Sequence, residues 1–276
     1  MKIRFSIAVP AYCEYNINKL LRILLKQKLP KNMILEKIVV AATGYENFHF
    51  LKNSKIKIVE EAVRRGKASA INNIIEHVVG DIIVFVDGDN LIKKNGIQKI
   101  LEPFNSKIGA TTGRPMPLKK AKLTNALFRF IWELHHEVSL HHPKICGQFY
   151  AIRKDLIEKL PFNIIVDDAY IDYIVRKKSF YIKYIPTALS YIKAPVNAFE
   201  IIKWRRRIIR GYMQLGSLNI WGGFPTGLML KAYLKNSYRL PLSILALMIE
   251  FIAILFAKFD TYRNYTPYSW EKCKTE

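Results

Sequence analysis

The sequence predicts an α/β fold, a mostly parallel, mixed sheet flanked by helices and followed by a helical C-terminal extension. Three observations carry this reading. Short β-branched apolar runs recur at residues 3–9, 34–42, 56–59, 81–86 and 108–112, each closed by Gly, Pro or polar residues. Helical apolar spacing fills the gaps between them, and strand-helix-strand repetition implies a parallel sheet covered on both faces. After Ala194 the pattern shifts to a basic amphipathic stretch over 197–218 and an almost wholly apolar one over 240–257.

Taken in order, the first run is followed by Ile17, Leu20, Leu21, Leu24 and Leu25, one helical face with Asn16 placed to cap it. Ala68, Ile71, Ile74 and Ile75 repeat the spacing after Gly66. A longer helix is expected over 123–142, where Leu123, Leu127, Phe130, Leu134 and Val138 share a face. A strand over 146–152 and helices over 154–160 and 167–178 complete a domain of residues 1–195. Residues 196–276 form the second part. There Phe199, Ile202, Ile209 and Met213 alternate with Lys203, Arg205, Arg206, Arg207 and Arg210, as in a helix that lies on a membrane surface. The apolar stretch 240–257 contains Pro241, Ser243 and Glu250 and sits near the lower length limit of a single membrane span.

The chain has 276 residues and a formal net charge of +22, which implies anionic company. Three cysteines without a CxxC spacing argue against a disulfide framework or zinc knuckle and for a reducing cytosol. The first apolar run, closed by Pro10 and Glu14, is too short for a secretory signal and reads as a strand. Neither a GxxxxGK[ST] loop nor a GxGxxG after the first strand is present, which excludes the usual phosphate loops of nucleotide hydrolases and dehydrogenases. The pairs His135-His136 and His141-His142 lack the spacing of a zinc site and read as helix-face or cleft residues.

In open α/β sheets ligands bind beyond the carboxyl ends of the strands. The strongest signal there is Ile82–Val86 running into Asp87-Gly88-Asp89. Two carboxylates so close repel unless a cation lies beside them, and a hard ion such as Mg2+ or Mn2+ is shared readily with substrate phosphates. The plain alternative is an Asp-Gly turn into a helix capped by Asn90. Pro10-Ala11-Tyr12-Cys13-Glu14 follows the first strand, and Arg64-Arg65-Gly66-Lys67-Ala68 opens a helix whose dipole favours a phosphate, although a solvated charge run looks the same.

In this order and spacing, the three segments resemble the family 2 glycosyltransferases of GT-A fold, over about residues 3–211. The resemblance implies inverting transfer from a nucleoside-diphosphate sugar with Mg2+ or Mn2+ as cofactor. It casts Pro10, Ala11, Tyr12, Glu14, Gly66, Lys67 and Asp87 as donor-binding, and Asp87 with Asp89 as metal ligands. Cys146–Arg153 is similar to the family's Gly-rich strand beneath the acceptor, which assigns Gly147 there. The segment from Val166 to Ile171 is similar to its acidic pair, with Asp167 at the acceptor and Asp168 as catalytic base. Trp204–Gly211 is similar to the family's Gln-x-x-Arg-Trp segment and offers Arg205, Arg207 and Arg210 to the diphosphate. Trp204 and Ile208 replace the usual Gln and Trp, which counts against processive polymer synthesis. Residues 39–44 lack the Asp the family commonly gives to the nucleotide base, so the base stays unassigned.

The expected partners are a nucleotide-sugar donor, a glycan or lipid-linked acceptor and a membrane surface, with no nucleic acid. The expected location is the cytoplasmic face of the cell membrane, peripheral or through one C-terminal span. The competing expectation is a non-enzymatic basic protein on a decayed transferase scaffold, holding anionic lipid or nucleic acid through its arginines.

Overall fold

A computed structural model describes residues 2–46, 48–220, 223–265 and 273–275. Its centre is an eight-stranded sheet built from β1 (Ile3–Tyr12), β2 (Met33–Thr43), β3 (Ile56–Glu61), β4 (Ile82–Val86), β5 (Leu91–Ile92), β6 (Ile108–Pro117), β7 (Phe149–Arg153) and β8 (Tyr181–Ile192). The strand order is β3-β2-β1-β4-β7-β6-β8-β5. The first four positions in that order pair in parallel, as expected. β7 runs antiparallel to both β4 and β6, so the sheet is mixed.

Alternation along β1 feeds two cores. Phe5, Ile7 and Val9 face α1 (Ile17–Leu25) and meet Leu20, Leu21 and Leu24, whereas Ala8 faces α2 (Lys67–Ile75) and meets Ile71 and Ile74. Asn16 stands at the expected cap position of α1, although its side chain makes no capping bond. Beyond these lie α3 (Gly96–Leu101), α4 (Leu123–His141) and α5 (Asp167–Lys177). The helix expected over 154–160 shrinks to a single 3-10 turn, Lys154–Leu156, and the strand expected from 146 starts at Phe149.

β8 is a twelve-residue strand that local pattern alone conceals. Pro186 within it breaks the usual strand signature, since proline cannot donate to a ladder. The strand tolerates it because pairing with β6 jumps there, from Thr112–Tyr184 to Arg114–Leu189, and β5 covers only Ser190 and Tyr191 on the other side.

The C-terminal third forms α6 (Ala198–Ser217), α7 (Thr226–Lys235) and α8 (Leu240–Tyr262). Asn197 caps α6 by accepting the Glu200 N–H at 2.9 Å, and Gln214 ties α6 to the approach of α5 through Ile165 N–H and the Asn163 carbonyl. α8 packs lengthwise on α6 through small residues, with Ala246, Ala253 and Ala257 buried, while Leu247, Phe251, Leu255 and Phe259 face outward. Arg205 binds Glu250 through two 2.8 Å bonds, and Arg206 binds Asp260 at 2.6 Å. The segment Ser237–Tyr262 is long and apolar enough to cross a membrane.

Candidate active site

A cleft of about 310 Å³ opens at the carboxyl ends of β1, β2, β3 and β4, with α6 as its far wall. A wider hollow of about 720 Å³ under residues 48–58 has no carboxylate in its lining and lies away from these segments.

The Asp87-Gly88-Asp89 turn is fixed by close packing on β1. Gly88 donates to the Pro10 carbonyl at 3.1 Å, and a Cβ on Gly88 would lie 2.9 Å from the Ala11 Cβ, so only glycine fits. Both carboxylates line the cleft. Residues 147–148 arrive beside them because β7 is antiparallel to β4, which pairs Val86 with Phe149. The Gln148 carbonyl then accepts the Asp87 N–H at 3.3 Å and the Asn90 side-chain amide at 2.7 Å. Asn90 therefore clamps this junction and caps no helix.

Lys67, at the start of α2, is the hub. Its Nζ lies 2.7 Å from Asp87 Oδ1 and 3.4 Å from Asp167 Oδ2, and donates to the Gly147 carbonyl at 3.1 Å. Burial alone would push the ammonium down, but Asp167, Asp87 and Asp168 together outweigh it and push it up, so Lys67 stays charged. Burial pushes the carboxyls of Asp87 and Asp167 up to about 6, against the pull of the same lysine. Asp168 is held differently. Its Oδ2 accepts the Gly147 N–H at 2.9 Å and its Oδ1 the Ala169 N–H at 2.8 Å, at the positive end of α5. Gly147 permits this approach, since a Cβ there would stand 3.0 Å from Lys67 Nζ and 3.3 Å from Asp168 Oδ2.

Pro10, Ala11, Tyr12, Glu14, Gly66, Lys67, Asp87, Asp89, Gly147, Asp167 and Asp168 all line this one cleft. Of the three arginines expected on a diphosphate, only Arg207 does. Arg205 is turned to Glu250, and Arg210 donates to the Tyr265 carbonyl at 3.2 Å, so the expectation for these two is corrected. The helical rotation of about 100° per residue puts Arg205 and Arg207 on opposite faces of α6.

Several lining residues were not singled out in the sequence. Phe128 and Trp132, a turn apart on α4, meet Trp204 of α6 at ring separations of 5.2 and 5.8 Å and wall one side. Their i, i+4 spacing was legible, but their partner on α6 was not. Glu61 and Thr43 enter from β3 and β2, and Arg64 lies over the Tyr12 ring at 4.0 Å. Cys273 and Thr275 reach the rim, where Thr275 bridges to Pro195. None of the three cysteines is in a disulfide. His135 packs on Trp132 and Phe224, and His136 pairs with the Tyr184 hydroxyl at 2.8 Å.

The donor set suits a hard divalent ion: oxygen ligands, an excess of acid over base, and a buried Asp167 Oδ2 with no hydrogen-bond donor. Among the described residues no three His, Cys, Asp or Glu side chains form a ready-made cage.

Residues 6–160 match the family model described as Glycosyl transferase family 2. The chain belongs to glycosyl transferase family 2. Among curated family relatives, it is 25% identical over 191 residues to a poly-beta-1,6-N-acetyl-D-glucosamine synthase of Staphylococcus epidermidis, covering 65% of this chain and 46% of that protein. A Staphylococcus aureus (strain COL) synthase of the same name is 23% identical over 172 residues, covering 58% of this chain and 42% of its own length. The family 2 chain thus spans less than half the length of these relatives. Among solved structures, a mannosyltransferase of Pyrobaculum calidifontis in complex with GDP-Man and Mn2+ superposes with a TM-score of 0.56 at 21% identity. The match covers 97% of the family 2 chain and 82% of that one, and it shows the GT-A fold.

Proposed function

We propose that the chain is an inverting, metal-dependent glycosyltransferase that moves a sugar from a nucleoside diphosphate to a hydroxyl or lipid-linked acceptor. One observation carries the reading: four aspartates from two distant segments, Asp87 and Asp89 with Asp167 and Asp168, meet Lys67 and Arg207 in a single cleft.

When bound, Mg2+ or Mn2+ held by Asp87 and Asp89 would neutralise the diphosphate as it leaves. Lys67 and Arg207 add positive charge at the same place without having to reorganise. Asp168, oriented by two N–H donors, takes the proton of the acceptor hydroxyl as that oxygen attacks the anomeric carbon. With an acceptor phosphate, already ionised, Asp168 positions and does not deprotonate. Asp167 and Gly147 then border the acceptor side, and the Phe128, Trp132 and Trp204 rings offer flat apolar faces to a sugar.

Residues 1–195 serve as the catalytic domain, and 196–276 complete the site and attach it to the cytoplasmic membrane face. α8 lies in the membrane surface and does not cross it. Supporting this, its inner face is committed along α6, whose other side supplies Arg207 to the cleft, while its outer face is apolar and flanked by Lys235, Arg239 and Lys258. Polymer synthesis is not carried over from the relatives, given the Trp204 and Ile208 replacements. A decayed binding scaffold is disfavoured, because every acidic residue of the site is in place.

Thermal unfolding of the full chain with each nucleoside diphosphate, with and without Mn2+, tests the donor site. A metal-dependent rise for at least one nucleotide, lost in Asp89→Ala, is expected. No rise for any nucleotide in a folded protein would overturn the reading.

A further inference from the structure

The cleft holds two carboxylates that the transfer chemistry does not use: Glu14, which lies 3.6 Å from the Lys193 ammonium, and Glu61. Glu61 ends β3, at the edge of the parallel half of the sheet, three strands from the β4 end that carries Asp87. At about 4.8 Å per strand that is roughly 14 Å, too far for a shared metal ion. Its two oxygens are individually held: Oε2 accepts the Thr43 hydroxyl at 2.8 Å, and Oε1 accepts the Asn73 amide at 2.5 Å. Neither partner is charged, so the anion is oriented without being neutralised. An ionised carboxylate has about four acceptor positions, and these two bonds leave positions for a ligand donor. Between Glu61 and the aspartates, at the end of β1, stands the Tyr12 ring, with the Arg64 guanidinium stacked on it at 4.0 Å.

We infer that Glu61 is the specificity-determining residue for the donor base, and that the site takes bases presenting a ring N–H, uracil or guanine, and rejects cytosine and adenine. The inference rests on the donor reading above, which places the diphosphate at Asp87 and Asp89. A nucleoside diphosphate laid along the strand ends then runs its base past Tyr12 towards β3. There it shares the flat stack with Arg64 or replaces it. Uracil offers N3–H to a carboxylate, and guanine offers N1–H together with its amino group. Cytosine and adenine present a ring-nitrogen lone pair at the corresponding edge, which would oppose the carboxylate lone pairs. Thr43 stands where the resemblance leads one to expect an acid, and here it orients the acid supplied by the neighbouring strand.

Calorimetric binding to the full chain in MnCl2 tests this with UDP, GDP, CDP and ADP, and with 3-methyl-UDP and 1-methyl-GDP, in which a methyl group replaces the ring N–H. The expected result is that UDP or GDP binds about 10- to 100-fold tighter than CDP and ADP, and that its own methylated form loses this advantage. Which of the two parents binds names the base. Glu61→Gln should erase the ranking while keeping binding of the diphosphate. The methylated nucleotides use the wild-type protein, so the test survives a variant that fails to fold. If all nucleotides bind alike, or a methylated base binds as well as its parent, Glu61 does not read the base and only this inference falls. If none binds, the donor reading itself falls.

Discussion

Two clusters of charge lie on opposite faces of the same helix, α6, and they are built on different rules. Towards α8, charges are matched one to one: Arg205 with Glu250, Arg206 with Asp260. Towards the cleft, carboxylates outnumber cations. Asp87, Asp89, Asp167 and Asp168 face Lys67 and Arg207, and the buried Asp167 Oδ2 is met only by the Lys67 ammonium at 3.4 Å, without a hydrogen bond, among the described residues. A matched pair lowers the cost of packing two helices and needs nothing further. An unmatched excess of carboxylate keeps a cost that a cation or a proton-bearing substrate relieves. The difference separates the charges that join α6 to α8 from those that line the cleft.

The largest effect expected from this contrast is at Asp168. Asp168→Asn should lower turnover by about 10²- to 10⁴-fold for a hydroxyl acceptor while leaving thermal stability near wild type. A loss of stability with normal specific activity would place Asp168 among the structural charges.

Next come the arginines. Arg207→Ala should reduce donor kcat/KM by about 10- to 100-fold, the worth of a charge-assisted bond to phosphate. Arg205→Met should leave the kinetics near wild type and instead cost about 1–3 kcal/mol in detergent-solubilised protein, discounted because Glu250 is partly exposed. Adding Glu250→Met should restore most of that loss. A kinetic defect in Arg205→Met without destabilisation would break the division between the two faces of α6.

The smallest effect is at His135, which lies between the two clusters with Asp168 and Arg205 in reach of its charge. Burial pushes its imidazole down to about 3, so it is neutral in the folded protein. Below about pH 6.5 the unfolded chain takes up a proton that the folded chain refuses. Stability therefore falls as pH drops from about 6.5 towards 3. His135→Gln should flatten part of that slope in thermal melts between pH 7 and 5, and an unchanged slope would mean the ring takes up its proton alike in the folded and unfolded chain.

What could be read in the sequence follows from which signals are local. β1, β2, β4 and their terminal motifs were legible because a buried strand is a contiguous apolar run and its ligand-facing residues come next in the chain. Tyr12 and Asp87 were found this way, Lys67 from its place at a helix start, and Asp168 through the family resemblance. β8 was not, because Pro186 hides it and only the irregular pairing with β6 makes room for the proline. Glu61 was missed because nothing near it in sequence marks it; its significance comes from Thr43 and Asn73, brought together by strand pairing and by α2.

The sequence by itself determined the class of fold, the acidic motifs and the basic, apolar character of the C-terminal third. Only the tertiary structure decided which arginine lines the cleft. A run of arginines on a helix sends successive side chains about 100° apart, and the face that meets the cleft is chosen by where α5 and α8 pack. That choice depends on Gln214 binding the approach to α5 and on Glu250 and Asp260 claiming Arg205 and Arg206, contacts between residues 45 or more positions apart.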